Sequence, residues 1–266
     1  MKSIRLVTAA VLTATILAGG VTNVFAAENR GAETDNTVTF TPNEEEVVIN
    51  PPVIEPEIDP IDPVPPGQTG PLTLAYVSPT FDFGEQAITT QDRAYSMIAE
   101  EQTADGEPVP YVSFAQVVDT RGKHEGWTLS VDLTDFVSAT SNDSLLGAQI
   151  EFVAPWVAYE GTDTDRTPSA ATNNGESLFL NVGQDDVVVM SANDGQGAGR
   201  SSLVWGDQTD LNNQAESNAD DEDVLNHGIR LHVPGSANPD AARYAATMTW
   251  SLSSVADNEG ETTPED

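Results

Sequence analysis

The stretch GWTLSVDL, residues 126–133, predicts a β-strand and with it the class of the whole fold. Large apolar residues alternate there with small or polar ones, and the apolar set is Trp127, Leu129, Val131 and Leu133. Because successive side chains of a strand point to opposite faces, the pattern places one face in a core and the other in solvent. Such half-buried strands are typical of antiparallel sheets.

A second stretch, TMTWSLSSVA at residues 247–256, repeats the tryptophan–polar–leucine pattern near the end of the chain. The repeated letters are WTLS at 127–130 and WSLS at 250–253, while their flanks differ. This indicates one motif used twice within one domain, and we expect the two strands to be neighbours in one sheet. The tryptophans are either core residues or half of a binding surface, and the alternation favours the core.

Further segments typical of β-strands, separated by turn residues, follow through the rest of the chain. They cover residues 72–78, 109–119, 145–154, 177–182, 186–191 and 228–235. Only two segments, 91–100 and 208–217, suggest helical turns, and the second is polar enough to be a loop instead. The absence of long helical crossovers favours antiparallel pairing of the strands. The sequence therefore predicts an all-β fold: an antiparallel β-sandwich or barrel-like domain with few short helical turns.

The first 26 residues have the parts of a secretory signal peptide. A basic start with Lys2 and Arg5 precedes an apolar run, Leu6–Leu17, and small residues follow. We expect cleavage after Ala26 and secretion of the mature chain, and the run is too short for a stable membrane span.

The stretch at residues 41–70 then changes composition abruptly, with eight prolines, seven acidic residues and no basic residue. Prolines at this density disfavour helix and sheet, so the stretch is predicted to be an exposed, semi-rigid spacer. A short strand is expected just before it, at TVTF, residues 37–40. The predicted organisation is a signal peptide (1–26), a polar N-terminal segment with the spacer (27–70), the main domain (71–257) and an acidic tail (258–266).

Net charge restricts the partners of this protein. The formal charge of the chain is −33, and loss of Lys2 and Arg5 with the signal peptide gives −35. Nucleic acid and anionic membranes are poor partners for such a surface, so we expect neither nucleic-acid binding nor direct membrane insertion. The chain has no cysteine, which for a secreted protein suggests the exterior of a Gram-positive bacterium. If the protein stays on the cell, we expect non-covalent attachment, since residues 257–266 show no sorting-type motif.

Catalytic and metal-binding patterns are weak in this sequence. Only three histidines are present, and no motif for a nucleophilic serine, a zinc site or a phosphate loop occurs. With 43 acidic residues, a pair at the spacing of a glycosidase arises by chance. The acidic stretches 161–167 and 218–224 lack the spacing of a calcium loop and are predicted to be solvated. We therefore expect no metal, no cofactor and no enzyme activity, with an extracellular polysaccharide-active enzyme as the remaining alternative.

Three segments together resemble the WxL-domain surface proteins of low-GC Gram-positive bacteria. GPLTLAYVSPTFDFGEQAI (70–88) resembles the opening of that domain, with an aromatic–Asp–Phe–Gly turn. QVVDTRGKHEGWTLSVDLTDF (116–136) resembles its first signature, and GSANPDAARYAATMTWSLSSVAD (235–257) its closing segment. The KHE within the turn and the extra tail are mild departures from the family pattern.

The resemblance implies a short, single-domain member that attaches non-covalently to the cell wall by binding peptidoglycan. It also implies complexes with larger WxL proteins and a membrane-anchored WxL-interacting protein. Trp127, Leu129, Trp250 and Leu252 are the positions that correspond to the family motif, and they are the candidate binding residues. A subunit of a surface complex with no direct wall binding is the alternative.

Overall fold

The computed structural model describes residues 37–45, 47–53, 55–59, 61, 69–218 and 222–254. The signal peptide predicted for residues 1–26 and the tail predicted for 258–266 lie outside these residues. Fourteen strands and one α-helix occur in the described part. The strands are β1 (Leu72–Val77), β2 (Arg93–Ile98), β3 (Glu100–Ala104), β4 (Glu107–Tyr111), β5 (Ser113–Asp119), β6 (Trp127–Leu133), β7 (Gln149–Val153), β8 (Trp156–Tyr159), β9 (Ser169–Ala170), β10 (Ser177–Asn181), β11 (Gln184–Ala192), β12 (Gly199–Trp205), β13 (Leu225–Val233) and β14 (Met248–Ser254).

The strands form three four-stranded sheets and one two-stranded ribbon. The sheet orders are β1-β5-β12-β8, β10-β7-β13-β2 and β14-β6-β11-β9, and the ribbon is β3-β4. Every strand pairing is antiparallel. The predicted all-β antiparallel fold is therefore confirmed.

The sheet that contains β5 is buried on both faces. All seven residues of β5 are buried, which explains why SFAQVVD does not alternate clearly in polarity. Ala115 and Val117 belong to the larger of two hydrophobic clusters, whereas Phe114 and Val118 belong to the smaller one. The sheet thus separates two layers of core, and the larger cluster also includes side chains from the other two sheets.

Part of the predicted spacer is packed against the domain, so an exposed spacer does not describe all of residues 41–70. We call the described part of residues 47–61 the strap. Ile49 is only 6% exposed and lies in the smaller hydrophobic cluster. The backbone of Asn50 is bound on both sides by Gln116: its N–H donates to Oε1 (3.1 Å), and its C=O accepts from Nε2 (2.6 Å).

The strap packs because it carries apolar side chains between its prolines and acids. Those in or against the smaller cluster are Val47, Ile49, Val53, Ile58 and Ile61. Proline prevents ladder pairing but not the burial of its neighbours' side chains, so an extended segment can pack on a sheet without joining it. Residues 37–40, predicted to be a short strand, form none, since an alternating pattern does not by itself supply a partner edge.

The two predicted helical segments have opposite outcomes. Residues 208–217 form the helix α1, Gln208–Ser217, whose first turn is capped by the Asp207 carboxylate accepting from Thr209 N–H (2.8 Å). The helical turn predicted at 91–100 is wrong, because this segment forms β2 and pairs with β13. Burial of Met97 on the sheet and the pairing with β13 outweigh the local propensity of this segment for a helical turn, so the segment forms a strand.

The two tryptophan–polar–leucine strands are direct neighbours, as expected. β14 pairs with β6 so that Trp250 lies opposite Val131 and Leu252 opposite Leu129. β6 is an inner strand of its sheet, between β14 and β11, whereas β14 is an edge strand. The two copies of the motif therefore occupy different environments.

Candidate functional site

An open groove of about 1260 Å³ lies beside Trp250. Two loops form much of its wall: the connection after β1, residues 78–91, and the connection before β14, residues 239–247. Its floor includes core side chains of the sheets, among them Leu133 and Ile150. A concave groove that combines an apolar lining with convergent polar groups is a candidate ligand-binding site.

The first loop is held by one buried aromatic ring and by Asp82. Phe83 is buried in the larger cluster. The Asp82 carbonyl accepts from Ile98 N–H (2.8 Å), and its carboxylate accepts from Gly84 N–H (2.9 Å). Gly84 has a φ of +66°, where a side chain is strained, and an added Cβ would lie 3.3 Å from Ile98 Cδ1. The aromatic–Asp–Phe–Gly turn thus fixes one wall of the groove.

The second loop is held by Tyr244. Its hydroxyl donates to the Asn142 carbonyl (2.6 Å) and accepts from Asp240 N–H (2.9 Å). Ala245 and Val137 exchange two backbone hydrogen bonds of 2.9 Å each. These bonds join the loop to the segment after β6, so both walls of the groove are ordered by side chains of the domain itself.

Trp250 is one of the aromatic residues that line the groove. Its ring is partly buried and lies 5.8 Å from that of Trp205, which is fully buried behind it. Trp205 in turn stacks on Phe152 (4.7 Å) and meets the edge of Phe81 (6.1 Å). This aromatic cluster holds the Trp250 ring in place while part of it remains exposed to the groove.

Charge in the groove is mixed but acidic overall. Its carboxylates are Asp82, Glu85 and Asp240, and its guanidinium is Arg243. Hydroxyl and amide groups also line it, including those of Thr80, Gln86, Thr89 and Gln91. Apolar rings beside hydroxyl, amide and carboxylate groups can contact sugar rings and donate to or accept from their polar substituents.

The first motif lies in the core instead. Trp127 and Leu129 are both 0% exposed. The Trp127 indole N–H donates to the Gly197 carbonyl (3.1 Å), and a Cβ added at Gly197 would lie 2.5 Å from Trp127 Nε1. Leu252 of the second motif is partly buried against the same core. Of the four residues predicted to bind, the structure places only Trp250 on the groove.

Several groove residues were not predicted from the sequence as site residues. Phe81, Tyr95, Phe136 and Tyr244 line the groove, yet each lies in a different segment. The clearest local signal is the aromatic–Asp–Phe–Gly turn, which marks a constrained loop. Which loops converge depends on how the sheets pack, and single-sequence periodicity does not contain that information.

A second, smaller site surrounds Glu100, in a pocket of about 450 Å³. One carboxylate oxygen of Glu100 accepts from the Tyr76 hydroxyl and from Gln102 Nε2 (2.6 Å). The other oxygen is buried and has no hydrogen-bond partner among the described residues. Burial raises the pKa of Glu100, although hydrogen bonds to its carboxylate oppose this. Neither oxygen faces a basic side chain within salt-bridge distance among the described residues.

Glu100 is expected to make the protein less stable as pH rises. Since its native pKa lies above the ordinary 4.5, the folded state binds this proton more tightly than the unfolded state does. The resulting stability is fully present below pH 4.5 and is lost as pH rises through the raised native pKa. Urea unfolding of Glu100→Gln should therefore show a smaller fall in unfolding free energy between acid and neutral pH than the wild type.

Glu101→Gln is the matched control, because Glu101 is exposed on the same strand and its replacement removes the same charge. Its pH dependence should stay close to that of the wild type. Equal pH dependence of Glu100→Gln and wild type would show that Glu100 does not act in this way.

Within the described residues, no three or more His, Cys, Asp and Glu side chains are placed to hold a metal ion. The same part of the chain contains no helix long and apolar enough to cross a membrane.

Comparison with models of known protein families identifies the family of this domain. The family model for the WxL domain, described as a surface cell wall-binding domain, matches residues 27–255. The match covers the strap, all fourteen strands and both walls of the groove. Comparisons with curated proteins and with solved structures yield no match. The chain therefore belongs to the WxL family of surface cell wall-binding domains.

Proposed function

We propose that this protein is a secreted, non-enzymatic surface protein that attaches non-covalently to peptidoglycan through the groove beside Trp250. The observation that carries the proposal is the position of Trp250: a motif tryptophan, partly exposed, on the wall of a groove of about 1260 Å³. A cell wall-binding domain needs a surface that contacts wall polymer, and this groove offers aromatic, hydroxyl and amide groups together.

The strong negative charge of the chain supports contacts through neutral groups. The charge of −33 opposes approach to the anionic wall, and the groove itself carries three carboxylates against one guanidinium. Attraction therefore has to come from ring stacking and hydrogen bonds, which act at short range and are not weakened by salt to the extent that ion pairs are. The glycan strand and the peptide amides of peptidoglycan offer both.

A role within a surface complex fits the same surface. The WxL-interacting membrane-anchored protein and the larger WxL proteins remain proposed partners on the basis of family resemblance. In this second arrangement the groove holds a partner protein and the protein reaches the wall indirectly. β14, which carries Trp250, is an edge strand with no second strand paired to it among the described residues, and this is the observation that favours a protein contact.

Sedimentation with purified peptidoglycan tests the proposal. The mature chain, residues 27–266, should sediment with washed peptidoglycan when no other protein is present, and soluble peptidoglycan fragments should compete. Sedimentation that requires a cell-surface extract would contradict direct binding and favour the complex. Release of soluble sugar from the pellet, abolished by a carboxylate substitution, would contradict the non-enzymatic assignment.

A further inference from the structure

Each of the two loops that wall the groove carries one exposed charge without a salt-bridge partner, and the two charges have opposite sign. Arg243, on the loop before β14, is exposed and forms no salt bridge with any described residue. The same holds for Glu85, on the loop after β1. The two side chains line one groove and yet are not paired with each other, so both are available to a ligand.

The other charged groups of the groove already have partners in the domain. The Asp82 carboxylate accepts from Gly84 N–H (2.9 Å), and the Asp240 carboxylate accepts from Asn142 N–H (3.0 Å). Several basic residues elsewhere in the described part are each paired with a carboxylate: Arg121, Lys123, Arg166 and Arg200. In a chain with 43 acidic and 10 basic residues, a guanidinium left unpaired on a groove wall is therefore notable.

The backbone around Arg243 is fixed before any ligand arrives. The hydroxyl of the next residue, Tyr244, bonds to Asn142 and Asp240, and Ala245 exchanges two backbone hydrogen bonds with Val137. A ligand therefore does not have to order this part of the loop. A guanidinium is a planar fork that binds a carboxylate through two parallel hydrogen bonds, which gives such a contact chemical selectivity.

Net charge restricts which ligands can use both groups. The charge of −33 on the chain repels a ligand with net negative charge, such as a polyanion. A ligand that carries one amine and one carboxylate has no net charge and is not repelled as a whole. Its amine and its carboxylate each meet the opposite charge on one wall of the groove. Charge complementarity of this kind selects among ligands more than it adds affinity.

We propose that the groove recognises the peptide part of peptidoglycan, with Arg243 binding a free peptide carboxylate and Glu85 a free peptide amine. This inference rests on the proposed function and names the part of the polymer that is recognised. The glycan strand is built from N-acetylated sugars and offers no free amine. A peptide that is not cross-linked ends in a carboxylate and carries a free side-chain amine. Because cross-linking consumes the amine, the preferred ligand is peptide that is not yet cross-linked.

NMR titration of the mature chain with defined soluble fragments tests this inference. The probe is a disaccharide that carries a peptide with one lysine and a free terminal carboxylate. Two modified probes have the carboxylate converted to an amide or the lysine amine acetylated. Each modification should raise the dissociation constant about fivefold, the size expected when one solvent-accessible ion pair is lost.

Variants assign each preference to one side chain. Arg243→Gln should bind the carboxylate and amide probes equally, while it still distinguishes the amine from its acetylated form. Glu85→Gln should show the reverse pattern. The matched controls are Arg166→Gln and Glu176→Gln, which remove the same charges from exposed side chains outside the groove. They should keep both preferences, and circular dichroism checks that every variant is folded.

The outcomes separate this inference from the proposed function. Equal affinity of the wild type for all three probes would overturn the inference while wall binding stands. The same holds if Arg243→Gln and Glu85→Gln keep the wild-type preferences, or if glycan strands stripped of peptide bind as tightly as the complete fragment. A wild type that sediments with peptidoglycan but does not bind the soluble probe would also overturn it. A wild type that does not sediment with peptidoglycan at all would overturn the proposed function itself.

Discussion

Trp127→Ala is expected to destabilise the protein by about 3–5 kcal/mol, a large part of the stability of a typical domain. Trp127 is 0% exposed, and β6, the strand that it begins, is an inner strand of its sheet. Removing the indole leaves a cavity in the larger cluster and also leaves the Gly197 carbonyl without its donor. Urea unfolding followed by circular dichroism measures the loss.

Trp156→Ala is the control for this substitution. Trp156 is 41% exposed at the start of β8, so its replacement should cost much less, about 1 kcal/mol. An unchanged unfolding midpoint for Trp127→Ala would contradict its placement in the core. If Trp127→Ala unfolds completely and still sediments with peptidoglycan, the result would contradict the folded groove as the binding surface.

Trp250→Ala is expected to keep the fold and to lose wall binding. Its ring is partly exposed and its strand is at the edge of the sheet, so the free energy of unfolding should fall by about 2 kcal/mol or less. The fraction of protein that sediments with peptidoglycan should fall about tenfold, as expected when a central aromatic contact is removed.

Two further variants keep this prediction testable. Trp250→Phe retains an aromatic ring and should retain part of the binding, which separates the loss of ring contact from a loss of fold. Trp156→Ala removes an exposed tryptophan away from the groove and should bind the wall as the wild type does. Equal sedimentation of Trp250→Ala and wild type would show that the groove wall at Trp250 is not a contact.

The strands that bury one face in the core were predictable from the sequence, because their apolar residues alternate with a period of two. This holds for β6 and β14, including their pairing. β2 was predicted as a helical turn, since its six residues carry too short a pattern for alternation to outweigh local propensity. The strap was predicted to be exposed because prolines and acidic residues dominate its composition. The apolar residues that pack on the domain are scattered between them.

The different roles of the two motifs were not predictable in the same way. Trp127 and Trp250 each begin a tryptophan–polar–leucine motif, yet one is fully buried and the other lines a groove. The difference arises from sheet order, because β6 has a neighbour on each side and β14 has one. The groove likewise depends on loops at 78–91 and 239–247 that are far apart in the chain and meet only in the folded domain.

We expect one motif tryptophan to support the fold and the other to contact the wall, and the indole N–H resonances of the protein test this most directly. The chain has four tryptophans, so a ¹⁵N-labelled sample should give four indole signals. On addition of soluble peptidoglycan fragments, the Trp250 signal should shift or broaden strongly while those of Trp127 and Trp156 stay in place. Binding that leaves the Trp250 signal unchanged would show that Trp250 does not contact the wall.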